Sequence, residues 1–300
     1  PDASQSPPTV PAGSLWARRR AARLVAKANG RLHDLAEDLD RTLREDTIPA
    51  FVAWVEGERG RDLASLSPAV WADLWRERER RVLDEFAPRA LLPSLVCGMA
   101  MADLRAVLEE CFWDEDPDDL LDVLAAAPEP DKTLDLTAGL VDVARGRRTV
   151  EDWLAAHGHR GPSEFDLAAP RWRERPDEVR TMADRLRDGP DPRERHRERY
   201  REAEACLERL TARLPGKDAR RLRRRLDLVR RYLPFREDGK YYLILGYDLL
   251  RDLAVEAGRR LGVGDDVFLL TFDEVREGLA AGSVDTDLLA ARRTERQTEA

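Results

Sequence analysis

Arg236 and Lys240 stand four residues apart just after Pro234, so a helix that begins there projects both side chains from one face, one turn apart. Together a planar guanidinium and a compact ammonium can clasp a phosphoryl group. Phosphoryl transfer asks a protein chiefly for positioning and for positive charge around developing oxyanions. The same spacing also suits a solvated helix face, the default for exposed charge. A second concentration of reactive groups is His159-Arg160-Gly161-Pro162-Ser163-Glu164-Phe165-Asp166-Leu167, closed by Pro170-Arg171-Trp172-Arg173-Glu174. Gly158, Gly161 and Pro162 punctuate a loop in which Glu164 or Asp166 can accept backbone N–H bonds and pair with Arg160, Arg171 or Arg173. Either its own charges hold this loop in one shape, or Glu164, Asp166 and Arg171 meet a substrate from a loop carried on a rigid scaffold. His157 and His159, two apart at a helix end, point their rings to different faces, so no metal site is expected. The third candidate is the apolar run from Ala90 to Met101, where Met99 and Met101 flank small residues and can wall a pocket for a bulky apolar ligand. A buried core helix would use the same residues.

The elements that must carry these groups are helical almost throughout. Ala28, Leu32, Leu35, Leu39 and Leu43 recur three or four apart and predict an amphipathic helix within 15–43. Ser67-Pro68, Asp116-Pro117 and Asp191-Pro192 pair a capping side chain with proline at the first helical position. Val70, Trp71, Leu74, Trp75 and Val82 form the stripe that follows the first of them. Thr149 starts a helix that ends near Gly158, and Thr271 and Glu274 have capping-box spacing. Leu222, Leu226 and Val229 give the arginine cluster Arg220 to Arg231 an apolar face, so it predicts an amphipathic helix with a basic outer side. The single strand candidate is the short Val267–Leu270. The fold class is therefore all-α, about ten long amphipathic helices with one ordered loop and at most a very short strand. Asp103 and Arg105 interrupt the apolar run before the roughly 20 residues a bilayer requires, so no membrane span is expected.

The loop run is similar to the acceptor-domain signature of rifampin phosphotransferases and related phosphoenolpyruvate-utilising enzymes: Gly-His-Arg-Gly-Pro-Gly-Glu-Phe-Asp-Leu, a short gap, then Pro-Arg-Trp. Ser163 stands where glycine is usual, and serine reaches positive φ less readily. Arg236-Glu237-Asp238-Gly239-Lys240-Tyr241-Tyr242 resembles the family's Arg-Glu-x-x-Lys-Tyr/Phe, and Asp265 to Thr271 follows in the matching order. The resemblance implies an acceptor-binding, substrate-binding domain set between an ATP-grasp domain and a swivelling phosphohistidine domain of one longer protein. It implies that Arg236 and Lys240 lie where the acceptor hydroxyl and the phosphohistidine meet, and it keeps open a pocket at Met99 and Met101 beside the core-helix reading. ATP and Mg2+ would serve the full-length enzyme, with none bound by this fragment and the fragment alone inactive. A phosphoenolpyruvate synthase would use an equivalent module.

Composition bounds the rest. At 300 residues, 42% hydrophobic and 37% charged, the chain can bury a substantial core under ionised helix faces. A net charge of −8 argues against a general nucleic-acid binder, which needs a basic surplus. Cys97, Cys111 and Cys206 are scattered without CxxC spacing, which points to a reducing cytoplasm. No Gly-x-x-x-x-Gly-Lys-Ser/Thr occurs. The Pro/Ser-rich residues 1–13 predict a linker, 14–290 a helical acceptor-binding domain, divisible at 148/149, and the charged 291–300 a second linker. Two functional classes fit this chain: a small-molecule acceptor module of a multidomain phosphotransferase, or a free-standing helical scaffold whose basic helix meets an acidic partner.

Overall fold

The computed structural model describes residue 36 and residues 38–299, so the expected linker 1–13 and the start of the first amphipathic helix lie outside the described residues. Twelve α-helices are labelled here: α1 Ile48–Arg59, α2 Pro68–Glu79, α3 Ala87–Cys111, α4 Pro117–Leu124, α5 Lys132–Ala144, α6 Val150–His157, α7 Pro176–Leu186, α8 Pro192–Ala212, α9 Gly216–Tyr232, α10 Phe235–Leu261, α11 Phe272–Ala281 and α12 Thr286–Glu299. Among the described residues there is no strand. The fold is all-α.

Local chemistry sets the helix starts where the sequence places them. Ser67, Asp116, Thr149 and Asp191 each accept a backbone N–H of their helix's first turn through the side chain. Thr271 and Glu274 complete a reciprocal capping box. The strand expectation fails: Gly264–Leu269 is a 3-10 turn. With no neighbouring strand to take its backbone groups, the segment satisfies them locally, Asp266 N–H on Val263 O and Leu270 N–H on Val267 O, and buries Val267 against α10. Residues 286–299 are helical, so of the segment 291–300 expected as a charged linker, 291–299 lie in α12, with Arg292 paired in bidentate fashion to Glu274.

Helix α10 is the spine. It runs antiparallel to the rod formed by α2, the π-helical Arg80–Phe86 and α3, with Gly239 against Ala90 and Gly246 against Val82. A Cβ at Gly239 would stand 2.3 Å from the Ala90 carbonyl oxygen, so this crossing admits only glycine. One core lies between α3, α4, α8 and α9, built on Leu104, Leu108, Leu210, Leu226 and Tyr232. Two others join α10 to α1 and to α2 and α11, and a fourth holds α5, α6 and α7 around Trp153. Helix α9 buries Leu222, Leu226 and Val229, the apolar stripe its spacing predicts.

The rod Pro68–Cys111 is long and apolar enough, by length and composition, to cross a membrane; its apolar window has a mean hydropathy of 1.6. The helix continues well past the apolar run, so the length argument made from sequence does not hold for it. One side, Val96, Cys97, Ala100 and Leu104, is core. The other side carries Leu91, Leu92, Leu95 and Met99 as exposed apolar groups.

Candidate functional site

Pro234 caps α10, which places Arg236 in its first turn and Lys240 one turn later on the same face, as their spacing predicts. The two cations live differently. Arg236 is exposed, and its guanidinium takes no ion pair or hydrogen bond among the described residues. Its charge reaches the buried Cys97 of α3, where burial pushes the thiol up against the opposing pull of Arg236. Lys240 donates from Nζ to Glu164 Oε1 at 2.7 Å while its side chain stays 37% exposed. The Phe165 ring lies 5.8 Å from the same ammonium and meets Tyr247 edge-on.

The loop 158–174 presents Glu164 and Phe165 because its two ends are tied together. Trp172 N–H donates to Arg160 O at 2.8 Å and Arg173 N–H to Gly158 O at 3.0 Å. A Cβ at Gly161 would stand 2.6 Å from Pro170 O, so the closure needs glycine there. Arg160 grips Glu164 through Nε to Oε2 and Nη2 to Oε1, both 2.7 Å. Burial works to raise the Glu164 carboxyl, but the bonds from Arg160 and Lys240 prevail and hold it below its ordinary value. Ser163, at φ 52°, is in the left-handed region and is the one non-glycine residue there among the described residues.

Deeper in, the loop is fastened to α10 again. Asp248, 1% exposed at its side chain, accepts from Arg173, sits 3.3 Å from Arg59 Nη2 and 3.9 Å from Arg171 Nε. Burial pushes its carboxyl up to about 6 in spite of Arg173. Arg173 also reaches Asp252, and Arg251 pairs with Glu174 through two bonds of 2.8 and 2.6 Å. Tyr241 donates its hydroxyl to Ala156 O at 2.7 Å, and the His159 ring stands edge-on to Tyr241. Burial pushes His157 down to about 4 and His159 well below its ordinary value, so both rings are neutral packing groups near pH 7. Among the described residues, no three His, Cys, Asp or Glu side chains are grouped to hold a metal ion.

The structure thus brings Arg236, Lys240 and Glu164 together, the last through Lys240. Asp166 is exposed and accepts Ala168 N–H at 2.8 Å, the geometry of an Asx turn, with Arg296 4.0 Å away. Arg171 is wholly buried, its Nε 3.9 Å from Asp248. Met99 is half exposed, whereas Met101 packs on the core of α3 and α9. Sequence reasoning missed Phe165, Asp248, Glu174 and Arg251. A carboxylate inside the apolar stretch Leu243 to Leu253 was the available signal, since a buried charge demands a partner.

Comparison with known proteins agrees with this geometry. Residues 115–237 match the family described as rifampicin phosphotransferase fourth domain, a span that includes the whole loop and Arg236 and stops three residues short of Lys240. The rifampicin phosphotransferase of Bacillus subtilis is 26% identical over 200 residues, 59% of this chain. That of Streptomyces sviceus is 28% identical over 210 residues, 65% of this chain. In each case the match covers 23% of the relative, so the chain corresponds to less than a quarter of those proteins. With the tied loop, the paired Lys240 and the open Arg236 in place, these likenesses support a rifampin phosphotransferase-like domain of the phosphoenolpyruvate-utilising kind.

Proposed function

We propose that this chain is the acceptor-binding module of a multidomain, soluble, cytoplasmic ATP-dependent phosphotransferase, acting on a small hydroxyl-bearing acceptor of the rifampicin type. The observation that carries the reading is the guanidinium of Arg236, unpaired among the described residues, one helical turn from Lys240 and beside the exposed Leu91, Leu92, Leu95 and Met99 of α3. The antiparallel crossing at Gly239 and Ala90 puts this cationic end of α10 next to that apolar stripe. The stripe takes the apolar body of the acceptor. Arg236 offers two N–H donors and Lys240 a point charge to the phosphoryl group as its bond to a phosphohistidine breaks and its bond to the acceptor oxygen forms. In this reading ATP and Mg2+ serve an ATP-grasp domain and the phosphohistidine a third domain of the longer protein.

The test is phosphorylation of rifampicin by the longer protein containing this chain, with Mg-ATP. Arg236→Ala and Lys240→Ala each lower turnover by about 10²-fold, the usual cost of a lost transition-state charge contact. Arg236→Ala leaves the urea midpoint in place because the side chain is exposed and pairs with no described residue. Full turnover in Arg236→Ala sinks the reading.

A further inference from the structure

Glu164 and Arg160 have no task in the transfer just described, yet they are the most fully engaged groups around Lys240. The Glu164 side chain is 6% exposed, so it reaches a bound acceptor only through another residue. Arg160 alone satisfies both carboxylate oxygens at 2.7 Å and would close the loop without help. The additional bond comes from a lysine whose side chain remains 37% exposed, so what it fixes is the ammonium rather than the loop. Ser163, immediately before Glu164, holds a left-handed conformation that an L side chain adopts at a cost, and the loop bears that strain where it aims this carboxylate.

We propose that Glu164 is a positioning residue for Lys240: locked on Arg160, its carboxylate holds the Lys240 ammonium on the Arg236 face of α10 and against Phe165, ready to pass to a phosphoryl oxygen. The inference rests on the reading that Lys240 serves the transferred group. Arg160 is the part that makes the hold firm. It keeps Glu164 charged in a buried place and fixes the rotamer from which Oε1 meets Nζ.

Competitive acetylation with N-acetoxysuccinimide, read by peptide mass spectrometry, measures the hold directly. Lys217 is exposed and serves as the internal reference. Lys240 acetylates about tenfold more slowly than Lys217, as a charge-assisted bond of this kind implies, and Glu164→Gln brings the two rates within about twofold. Glu164→Asp keeps the charge on Arg160 but withdraws it from Lys240, and accelerates Lys240 likewise; it decides the matter should Glu164→Gln unfold and speed every lysine. In the longer protein with Mg-ATP and rifampicin, Glu164→Gln lowers kcat about tenfold with KM unchanged, the mark of an interaction used in the transition state. Unchanged Lys240 acetylation in both variants, or an unchanged kcat, overturns the inference. Full turnover in Lys240→Ala overturns the transfer reading instead, and if rifampicin is not phosphorylated at all the acetylation ratio decides the hold by itself.

Discussion

The same loop is fastened to the same helix twice, with the charges reversed. At Lys240 the helix supplies the cation and the loop the carboxylate, Glu164; roughly two turns along, the helix supplies the carboxylate, Asp248, and the loop the cations Arg171 and Arg173. Three arginines surround Asp248 and two cations Glu164, so counting charges predicts a lower pKa at Asp248. The opposite is found: Asp248 rises to about 6 and Glu164 falls. Asp248 is the more deeply buried of the two, and the neighbouring carboxylate of Asp252 adds a like charge against the pull of Arg173, whereas Glu164 receives three well-directed bonds of 2.7 Å. Loss of water and a like charge alongside outweigh the cations around Asp248, while the directed bonds to Glu164 outweigh its shallower burial.

Breaking the inner clamp has the largest expected effect. Asp248→Ala leaves Arg171 buried without its carboxylate, takes one of two carboxylates from Arg173, and destabilises the domain by about 3 kcal/mol in urea unfolding. A loss under about 1 kcal/mol would show that those guanidinium groups find other partners and that the clamp is ornamental. The pH response sharpens the same contrast. A carboxylate whose folded pKa is raised keeps its proton in the fold while the unfolded chain releases it, so between about pH 4 and 6 its contribution to stability declines as pH rises. For Asp248 the change amounts to about 3 kcal/mol at most. Wild type therefore gains stability relative to Asp248→Asn as pH is lowered from 7 to 4, and parallel pH curves for the two proteins would refute the raised pKa. Glu164 and Glu174, whose values are lowered, contribute in the other direction: their stabilisation is present at neutral pH and is lost as the solution becomes acidic.

How much of this was legible follows from sequence separation. The outer cations were, because Arg236 and Lys240 are four apart on one helix and a helical period fixes their common face. Helix starts at Ser67, Asp116, Thr149, Asp191 and Thr271 were legible for the same reason: a cap and the N–H it accepts lie within three residues. The inner clamp was not. Asp248 meets Arg173 from 75 residues away and Arg59 from 189, and no local pattern announces which arginine among many will arrive. Val267–Leu270 misled because its residues suit a strand while strands exist only in pairs, and the partner is a tertiary fact. Arg171 illustrates the limit from the other side. Its place in the loop signature suggested contact with a substrate, but burial on Asp248 is decided by how the loop docks on α10.

The smallest expected effect lies at the hinge of the outer clamp, Ser163. A serine at φ 52° bears about 1 kcal/mol of steric cost that glycine escapes, and glycine gives back part of it through the extra freedom it loses on folding. Ser163→Gly should therefore raise stability by about 0.5 kcal/mol and shift Tm upward by a degree or so. Ser163→Ala retains the Cβ and should gain nothing. The comparison between the two substitutions isolates backbone strain from loss of the hydroxyl, and acetylation of Lys240 in Ser163→Gly asks whether that strain matters to the site. A turn that serves only to close the loop relaxes without moving Glu164, and the Lys240 rate stays as in wild type. If the strain is what presses the Glu164 carboxylate onto Nζ, the relaxed turn lets the carboxylate drift, and Lys240 acetylates faster even though the protein has become more stable.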